Sequence, residues 1–261
     1  MFLLNGKVPL QWWNNAPNFG DLLSPWLVRN ISGHEVVEVG GSQPNYVAIG
    51  SVIGMAKPLS VVWGTGSFGF DPDEPICDSA TYLAVRGPLT RSKLDNAGIR
   101  CPRIYGDPAL LTPEFYRPEV KQTHEVGVVL RWSEDKWNKA LDGEGIKKIY
   151  LKTGAIEETL DEILSCKKII TSSLHGLIIA DAYGIPSAWL ASGTPNGREF
   201  KYWDYFASVD KNRPPQVYDM ARPGLTAKTL MRDFKFDDRQ LKYDLDALKG
   251  ACPFGWGPVT I

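Results

Sequence analysis

The sequence predicts an α/β fold made of two β–α halves that face each other across a cleft. Short apolar runs alternate with helical patterns, which is typical of parallel β–α units. A segment rich in proline and charge, residues 112–123, interrupts this alternation and is predicted to link the halves. Polar and glycine-rich turns follow several of the apolar runs. Because ligands bind at the carboxyl ends of parallel strands, we expect the functional site in the cleft.

The first half is predicted to contain four strands and two helices, followed by a further short strand. Apolar runs predict strands at residues 36–39, 46–49, 60–63 and 82–85, and helical spacing predicts helices at 21–31 and 88–97. Pro88 in the first turn and Gly98 just after the end support the second helix. Glycine-rich turns at 50–54 and 64–67 allow the backbone to approach a ligand closely. A short strand at 103–105 precedes the turn that contains Asp107.

The second half repeats the pattern. Strands are predicted at residues 126–130, 148–151, 168–170 and 187–190, and helices at 133–141, 156–164, from His175 to Gly184, 226–234 and 238–248. These elements predict a first domain over residues 1–118 and a second over 119–220. Residues 221–261 are predicted to form a helical segment that packs back on both.

Composition excludes several functional classes. Lys and Arg total 29 against 30 Asp and Glu, and no basic block is present, so we expect no nucleic-acid partner. The four cysteines are far apart and form no CxxC pair, which is typical of reduced thiols rather than disulfides or a zinc site. No signal peptide and no apolar run near 18 residues is visible, so we expect a cytoplasmic protein.

The most informative segment is the turn at residues 171–176, Thr-Ser-Ser-Leu-His-Gly. It lies between a predicted buried strand and a predicted helix, where the first amides of the helix lack internal partners and the helix dipole favours negative charge. Phosphate or carboxylate is therefore the expected ligand, and His175 is placed to move a proton. His34 and His124 lie in polar connecting segments and carry no such signal.

Other polar residues also follow strands or precede helices, and each has a structural alternative. The segment 18–21 provides a carboxylate, Asp21, that either serves the site or only caps a helix. Arg86 either clamps an anion or pairs with an acid, and Arg131 either grips phosphate or carboxylate or lies on the surface. Asp107 binds a sugar hydroxyl, orients a basic side chain or only starts its turn.

These turns belong to a longer series of motifs in a fixed order. The series is NFGD at 18–21, VRGPLT at 85–90, YGDPALL at 105–111, SSLHG at 172–176, DAYGIP at 181–186 and FKYWDY at 200–205. In this series the chain resembles the polysaccharide pyruvyl transferase family, in particular the bacterial exopolysaccharide ketal pyruvyltransferases. The resemblance covers about residues 12–206, most of the chain.

The resemblance implies two Rossmann-like domains in an arrangement similar to the GT-B glycosyltransferases. It also implies transfer of pyruvate from phosphoenolpyruvate to two hydroxyls of a saccharide as a cyclic ketal, in exopolysaccharide biosynthesis. Phosphoenolpyruvate is then a co-substrate, and no metal and no further cofactor is expected. The acceptor class includes lipid-linked saccharides at the inner face of the cytoplasmic membrane, and Trp12, Trp13 and the segment 253–257 are candidates for a peripheral membrane contact.

The resemblance also assigns roles to residues. His175 corresponds to the general acid of the family, and we expect Asp21 to act as the base, with Asp107 as the alternative. Residues expected at the donor are Arg86, Arg131, Ser172, Ser173, Leu174 and Gly176. Residues expected at the acceptor or elsewhere in the site are Asn18, Asp107, Lys201 and Asp204. Some members of the family have histidine at the position of Arg131.

Two other functions remain open at the level of sequence. A nucleotide-sugar glycosyltransferase of related architecture would also use a helix N-terminus and basic residues for its diphosphate, although no pattern for ribose and diphosphate is visible. A non-catalytic carbohydrate-binding protein would use the aromatic side chains, which include nine tryptophans, to stack on sugar faces.

Overall fold

The computed structural model describes residues 1–69, 73–131, 133–192 and 199–255. Within these ranges the chain forms two sheets with helices around them, and every pair of adjacent strands is parallel. The predicted α/β fold with two sheet regions is therefore confirmed. No helix in the described ranges is both long enough and apolar enough to cross a membrane.

The first sheet has the strand order β2-β1-β3-β4-β5. Its strands are β1 (Val8–Gln11), β2 (Val36–Glu38), β3 (Asn45–Val47), β4 (Ser60–Trp63) and β5 (Thr81–Ala84). The second sheet has the order β7-β6-β8-β9. Its strands are β6 (Val126–Leu130), β7 (Ile146–Tyr150), β8 (Ile169–Thr171) and β9 (Ser187–Trp189). All five residues of β6 are buried, as expected for a strand covered on both faces.

The helices surround these sheets. They are α1 (Phe19–Ser32), α2 (Pro88–Asn96), α3 (Thr112–Phe115), α4 (Asp135–Ala140), α5 (Ile156–Leu164), α6 (Leu174–Ala182), α7 (Phe200–Ser208), α8 (Ala227–Asp233) and α9 (Leu245–Gly250), with short 3₁₀ helices at Ile53–Met55 and Pro108–Leu111. The predicted bounds of β4, β6 and α5 are confirmed exactly, and most other elements differ by a few residues.

Four sequence predictions need correction. The strand β1 was not predicted, and it contains Pro9, a residue that is rare in central strands because it has no N–H to donate. The N–H of Val8 donates to the carbonyl oxygen of Glu35, on the β2 side. Because successive residues of a strand direct their backbone groups to alternate sides, the nitrogen of Pro9 faces β3. Pairing between β1 and β3 begins only at the next residue, Leu10. Helix α7 was missed, and the strand predicted at 103–105 is reduced to one bridge, between Val85 and Tyr105.

The helix predicted at 238–248 begins later than expected. Asp237 instead accepts a hydrogen bond from the backbone N–H of Arg239 in a turn. Asp244 then caps α9 by accepting from the N–H of Ala247 at 2.8 Å. Because a capping side chain fixes where a helix starts, the helical part is only Leu245–Gly250.

One buried apolar cluster includes side chains from both sheets, such as Leu10 and Ile169. The C-terminal segment contacts both sheets as well. Helix α8 packs against the second sheet, whereas α9 returns to the first, where the indole N–H of Trp63 donates to the carbonyl of Leu248 at 2.9 Å. The domain division at residues 118 and 220 stays a prediction.

A buried ion pair also joins the two halves. Arg86 follows β5, Asp204 lies on α7, and both side chains have no exposed surface. The Nε of Arg86 donates to Asp204 at 3.0 Å, and Thr90 donates to the same carboxylate from its backbone N–H and its hydroxyl. A Cβ on Gly87 would lie 2.0 Å from the carbonyl oxygen of Asp204, so glycine is required where α7 crosses. The pair therefore fixes α7 to the first half.

We expect Asp204→Asn to lower the free energy of unfolding by about 3 kcal/mol, because it leaves the buried guanidinium of Arg86 without its counter-charge. Denaturant unfolding monitored by circular dichroism measures the change. Asp210→Asn is the matched control, since Asp210 pairs with Lys242 where its side chain is 71% exposed, and it should change the stability by less than about 0.5 kcal/mol. Equal midpoints for the two variants would contradict this role of the buried pair.

Candidate active site

A pocket of about 270 Å³ lies between the two halves, close to the lower end of the range of ~300 to 1,000 Å³ for small-molecule sites. From the first half it is lined by Trp13, Asn18, Asp21, Ser51, Val52 and Phe68. From the second half it is lined by Arg131, Ser133, Leu151, Ser173, Leu174, His175 and Lys201. Seven residues predicted at the site thus lie around one cavity: Asn18, Asp21, Arg131, Ser173, Leu174, His175 and Lys201.

His175 enters this pocket from the first turn of α6. The preceding strand β8 ends at Thr171, and Ser173 adopts the extended conformation of an N-cap residue before α6 begins at Leu174. The His175 side chain is 13% exposed and lines the pocket, so it is neither sealed in the core nor turned away from the cleft. Burial, reinforced by the positive charges of Lys201 and Arg86, lowers its pKa to about 3. The imidazole is therefore neutral at pH 7.

Asp107 lies directly behind this imidazole. Its carboxylate is fully buried and caps the 3₁₀ helix Pro108–Leu111, where Oδ1 accepts from the N–H of Ala109 at 3.0 Å. The second oxygen, Oδ2, lies 3.9 Å from Nε2 of His175. Burial raises the pKa of Asp107 to about 6, although the hydrogen bond from Ala109 and the charge of Arg86 oppose the rise.

Asp21 lies across the pocket, in the first turn of α1. Burial raises its pKa to about 6, while a hydrogen bond from the side-chain amide of Asn18 and the charge of Lys201 act in the opposite direction. Gly50 passes close by with a φ of +115°, and a Cβ there would lie 3.4 Å from the Asp21 carboxylate. Asp21 can therefore take up a proton near neutral pH, as a general base must.

Arg131 follows β6 and is held by a buried network. Its backbone N–H donates to Ser172 at 3.1 Å, and its Nη1 donates to Ser192 at 3.2 Å. Glu134 accepts from the hydroxyls of both serines and is only 5% exposed. Ser172 thus holds Arg131 in position through its hydroxyl. It does not itself line the pocket.

Lys201 enters from α7, one helical turn before Asp204. Its ammonium lies 5.5 Å from the ring centre of Phe68 and 5.4 Å from that of Tyr202, within range of cation–π attraction. Lys201 and Arg131 bring two positive charges to the pocket lining, where Asp21 supplies the carboxylate, a composition suited to an anionic ligand.

Five residues predicted at the site do not line the pocket. Arg86 and Asp204 bind each other in the interior, and Asp107 and Ser172 lie behind His175 and Arg131. Gly176 packs on β8, where a Cβ would lie 2.3 Å from the hydroxyl oxygen of Thr171, so glycine is needed for α6 to approach the sheet. These five lie behind the pocket lining.

The sequence analysis missed several residues of the site. The glycine-rich turn at 50–54 was a signal for Ser51 and Val52, and the aromatic pair at 12–13 was a signal for Trp13. Glu134 gave no signal, because an acidic residue just before a helix is ordinary helix chemistry. Trp132, Trp256 and Gly257 lie outside the described residues. Within the described ranges, no group of three or more His, Cys, Asp or Glu side chains is arranged to hold a metal ion.

Comparison with known proteins identifies the same family that the sequence motifs resemble. The family model for polysaccharide pyruvyl transferase matches residues 57–194. The chain is 28% identical over 221 residues to the succinoglycan biosynthesis protein ExoV of Rhizobium meliloti, covering 80% of this chain and 66% of that protein. It is 26% identical over 229 residues to the uncharacterized protein L143 of Acanthamoeba polyphaga mimivirus, covering 77% of this chain and 74% of that protein. No solved structure matches the chain.

We expect Gly20→Ala to displace the His175 ring, because a Cβ on Gly20 would lie 2.2 Å from Nδ1. The ring has little room to retreat, since Asp107 lies behind it, so we expect a loss of about 1 to 3 kcal/mol in unfolding free energy despite the better helix propensity of alanine. Thermal unfolding and the ring resonances of His175 report the two effects. Gly40→Ala is the control, since its Cβ would meet nothing within 4 Å. An unshifted His175 resonance would contradict the contact.

Proposed function

The chain belongs to the polysaccharide pyruvyl transferase family, and from that premise we propose that it transfers pyruvate from phosphoenolpyruvate to two hydroxyls of a saccharide, forming a cyclic ketal in exopolysaccharide synthesis. The observation that carries the proposal is the pocket itself. A histidine, a carboxylate with a raised pKa and two cations line one cavity between two parallel sheets.

The charges of the pocket suit this donor. Phosphoenolpyruvate carries a phosphate and a carboxylate, and both Arg131 and Lys201 line the pocket from the second half. The first turn of α6 adds backbone N–H groups and the positive end of a helix dipole. These three features provide binding partners for both anionic ends, with Ser173 and Leu174 at the turn.

The residues also suit the reaction. Asp21 takes the proton of the first sugar hydroxyl as its oxygen bonds to C2 of the donor, and His175 in its protonated form delivers a proton to C3, which becomes the methyl group. The C2–O bond to phosphate then breaks. The second hydroxyl bonds to C2, and its proton leaves with the phosphate. The products are the ketal and inorganic phosphate, so atoms and charge balance.

His175 must be protonated for this step, although its pKa is about 3 in the unliganded pocket. The phosphate and carboxylate of the donor supply the negative charge that stabilises the imidazolium. Burial is the main cause of the low pKa of His175, and the charges of Lys201 and Arg86 add to it. The anionic groups of the donor act against both effects, because an opposite charge within ~4 to 6 Å raises the pKa of an imidazole. The acid therefore forms in the complex with the donor.

The first half supplies a wall suited to a sugar. Trp13 and Phe68 line the pocket opposite the donor turn, and aromatic rings stack on the apolar faces of saccharides. We therefore assign the acceptor to residues 1–118 and the donor to residues 119–220 as part of the same proposal. A GT-B-like arrangement, a lipid-linked acceptor and a cytoplasmic location at the inner membrane face belong to the same proposal.

We expect His175→Gln to abolish phosphate release from phosphoenolpyruvate in the presence of acceptor, because glutamine cannot protonate C3. The variant should remain folded, since glutamine preserves a polar side chain at the pocket wall. A phosphate-release assay with an acceptor screen, its products identified by mass and NMR, measures the effect.

The control for this variant is His34→Gln, which removes a histidine outside the pocket and should leave turnover unchanged. Thermal unfolding adds a test of the donor: phosphoenolpyruvate should raise the melting temperature of both variants, and UDP- or GDP-sugars should not. Unchanged turnover in His175→Gln would refute the acid, and protection by nucleotide sugars alone would favour a glycosyltransferase.

We expect activity to fall as the pH drops through about 6, because Asp21 must be ionised to act as the base. The hydrogen bond from Asn18 stabilises the ionised form and lowers the pKa of Asp21. Asn18→Ala removes that bond, so the acid limb of the profile of kcat/KM should move to higher pH by about 0.5 to 1 pH unit.

Asn14→Ala is the matched control for this measurement. Asn14 also donates to a carboxylate, that of Glu38 at 2.7 Å, but on the exposed surface. Its pH profile should coincide with that of the unmodified protein. A shift to lower pH in Asn18→Ala, or none, would remove Asp21 from the role of base.

A further inference from the structure

Two buried polar atoms without hydrogen-bond partners face each other behind the pocket. They are Oδ2 of Asp107 and Nε2 of His175, and they lie 3.9 Å apart. A buried polar atom without a partner is costly, so such a pair of atoms calls for an explanation. Catalytic hydrogen bonds are often long in unliganded enzymes and shorten in the substrate complex.

The carboxylate of Asp107 has one oxygen fixed and one available. Oδ1 is held by the backbone N–H of Ala109, which sets the orientation of the whole group and directs Oδ2 at the ring. Both residues stand on packed elements, since α6 packs against the 3₁₀ helix that Asp107 begins. The approach of carboxylate and ring is therefore built into the fold.

The two ring nitrogens of His175 occupy different surroundings. Nε2 is sealed against Asp107, whereas Nδ1 is the ring atom nearest to Gly20, in the first turn of α1. Asn18 and Asp21, on either side of Gly20, both line the pocket. The side of the ring that carries Nδ1 therefore faces the place where substrate and base would meet.

We propose that Asp107 is a positioning residue for His175: it holds the ring in the tautomer with the proton on Nε2, so that Nδ1 is the atom that exchanges a proton with the substrate. An ionised carboxylate only accepts hydrogen bonds, so Nε2 must carry a proton to satisfy it. The same carboxylate stabilises the imidazolium formed when Nδ1 is protonated. The catalytic part rests on the proposed function, whereas the tautomer does not.

The nearby charges are consistent with an ionised Asp107 at pH 7.5. The positive charge of Arg86 lowers the pKa of both groups, which favours the carboxylate and disfavours the imidazolium. Lys201 lowers the pKa of His175 further, whereas Asp204 raises that of Asp107. Burial raises the pKa of Asp107 only to about 6, so the carboxylate is charged and the ring neutral before substrate binds.

The test is the ¹⁵N NMR spectrum of the full chain labelled with ¹⁵N-histidine, recorded at pH 7.5 without substrate. We expect His175 to show a protonated, pyrrole-type Nε2 and an unprotonated, pyridine-type Nδ1. His175→Gln assigns the signals by removing them, and His34 and His124 serve as internal references. A pyrrole-type Nδ1 in the unmodified protein would overturn the proposal without any variant.

Asp107→Asn reverses the hydrogen bond. Asparagine can keep the cap to Ala109 through its oxygen, but its NH₂ group would donate to Nε2, so the proton should move to Nδ1. Asp244→Asn is the matched control, because Asp244 is also an N-cap aspartate but is itself exposed to solvent. It should leave the His175 signals unchanged. An unchanged tautomer in folded Asp107→Asn would also overturn the proposal.

Kinetics separate this proposal from the proposed function. If the unmodified protein turns over phosphoenolpyruvate, Asp107→Asn should lower kcat by about 10² to 10⁴-fold with little change in KM, as expected when a carboxylate that sets a histidine tautomer is lost. A normal kcat would overturn the positioning role. If no donor is turned over but the spectrum shows the Nε2 tautomer, the proposed function fails and the assignment of the tautomer stands.

Discussion

The buried ion pair between Arg86 and Asp204 is the contact on which the site depends. Helix α7 belongs by sequence to the second half, yet this pair fixes it to the first half, where Thr90 also donates to the carboxylate. Lys201 lies one turn earlier on the same helix and lines the pocket. Together with the hydrogen bonds from Tyr202 to Ser172 and from Tyr205 to Asp181, the anchoring of Asp204 sets where the ammonium of Lys201 lies. Burying an ion pair costs desolvation free energy that offsets much of the attraction between the charges, but the pair still fixes the position of the helix.

The position of Lys201 in turn influences the titration of Asp21 and His175, the groups proposed to transfer protons. Its charge lowers the pKa of Asp21 and also that of His175, while burial raises the first and lowers the second. For Asp21 the two effects oppose each other, and the result is a carboxylate poised near neutral pH. For His175 they act together, so the imidazole stays neutral until an anion enters. The charge of Lys201 thus acts on both the proposed base and the proposed acid.

The sequence alone predicted what is encoded locally. The turn around His175 was recognisable because an apolar strand, two serines and a helix follow one another within a few residues. The partner of Arg86 was not recognisable, because Asp204 lies 118 positions away and a buried acid looks like any other in the sequence. The strand β1 was missed for a related reason. Whether a strand tolerates Pro9 depends on where its pairing with β3 begins, and that is set by the tertiary structure.

The contacts that matter for the chemistry cross between the halves. Asp107 comes from the first half and faces His175 of the second, Gly20 of the first half makes room for the same ring, and Lys201 of the second half acts on Asp21 of the first. Neither half therefore contains all the groups that we propose as acid, base and anion-binding residues. An opening of a few ångströms would separate the carboxylate from the imidazole and hydrate both, which would return their pKa values towards those in water. The closed arrangement is thus a condition for the proposed proton transfers as well as for stability.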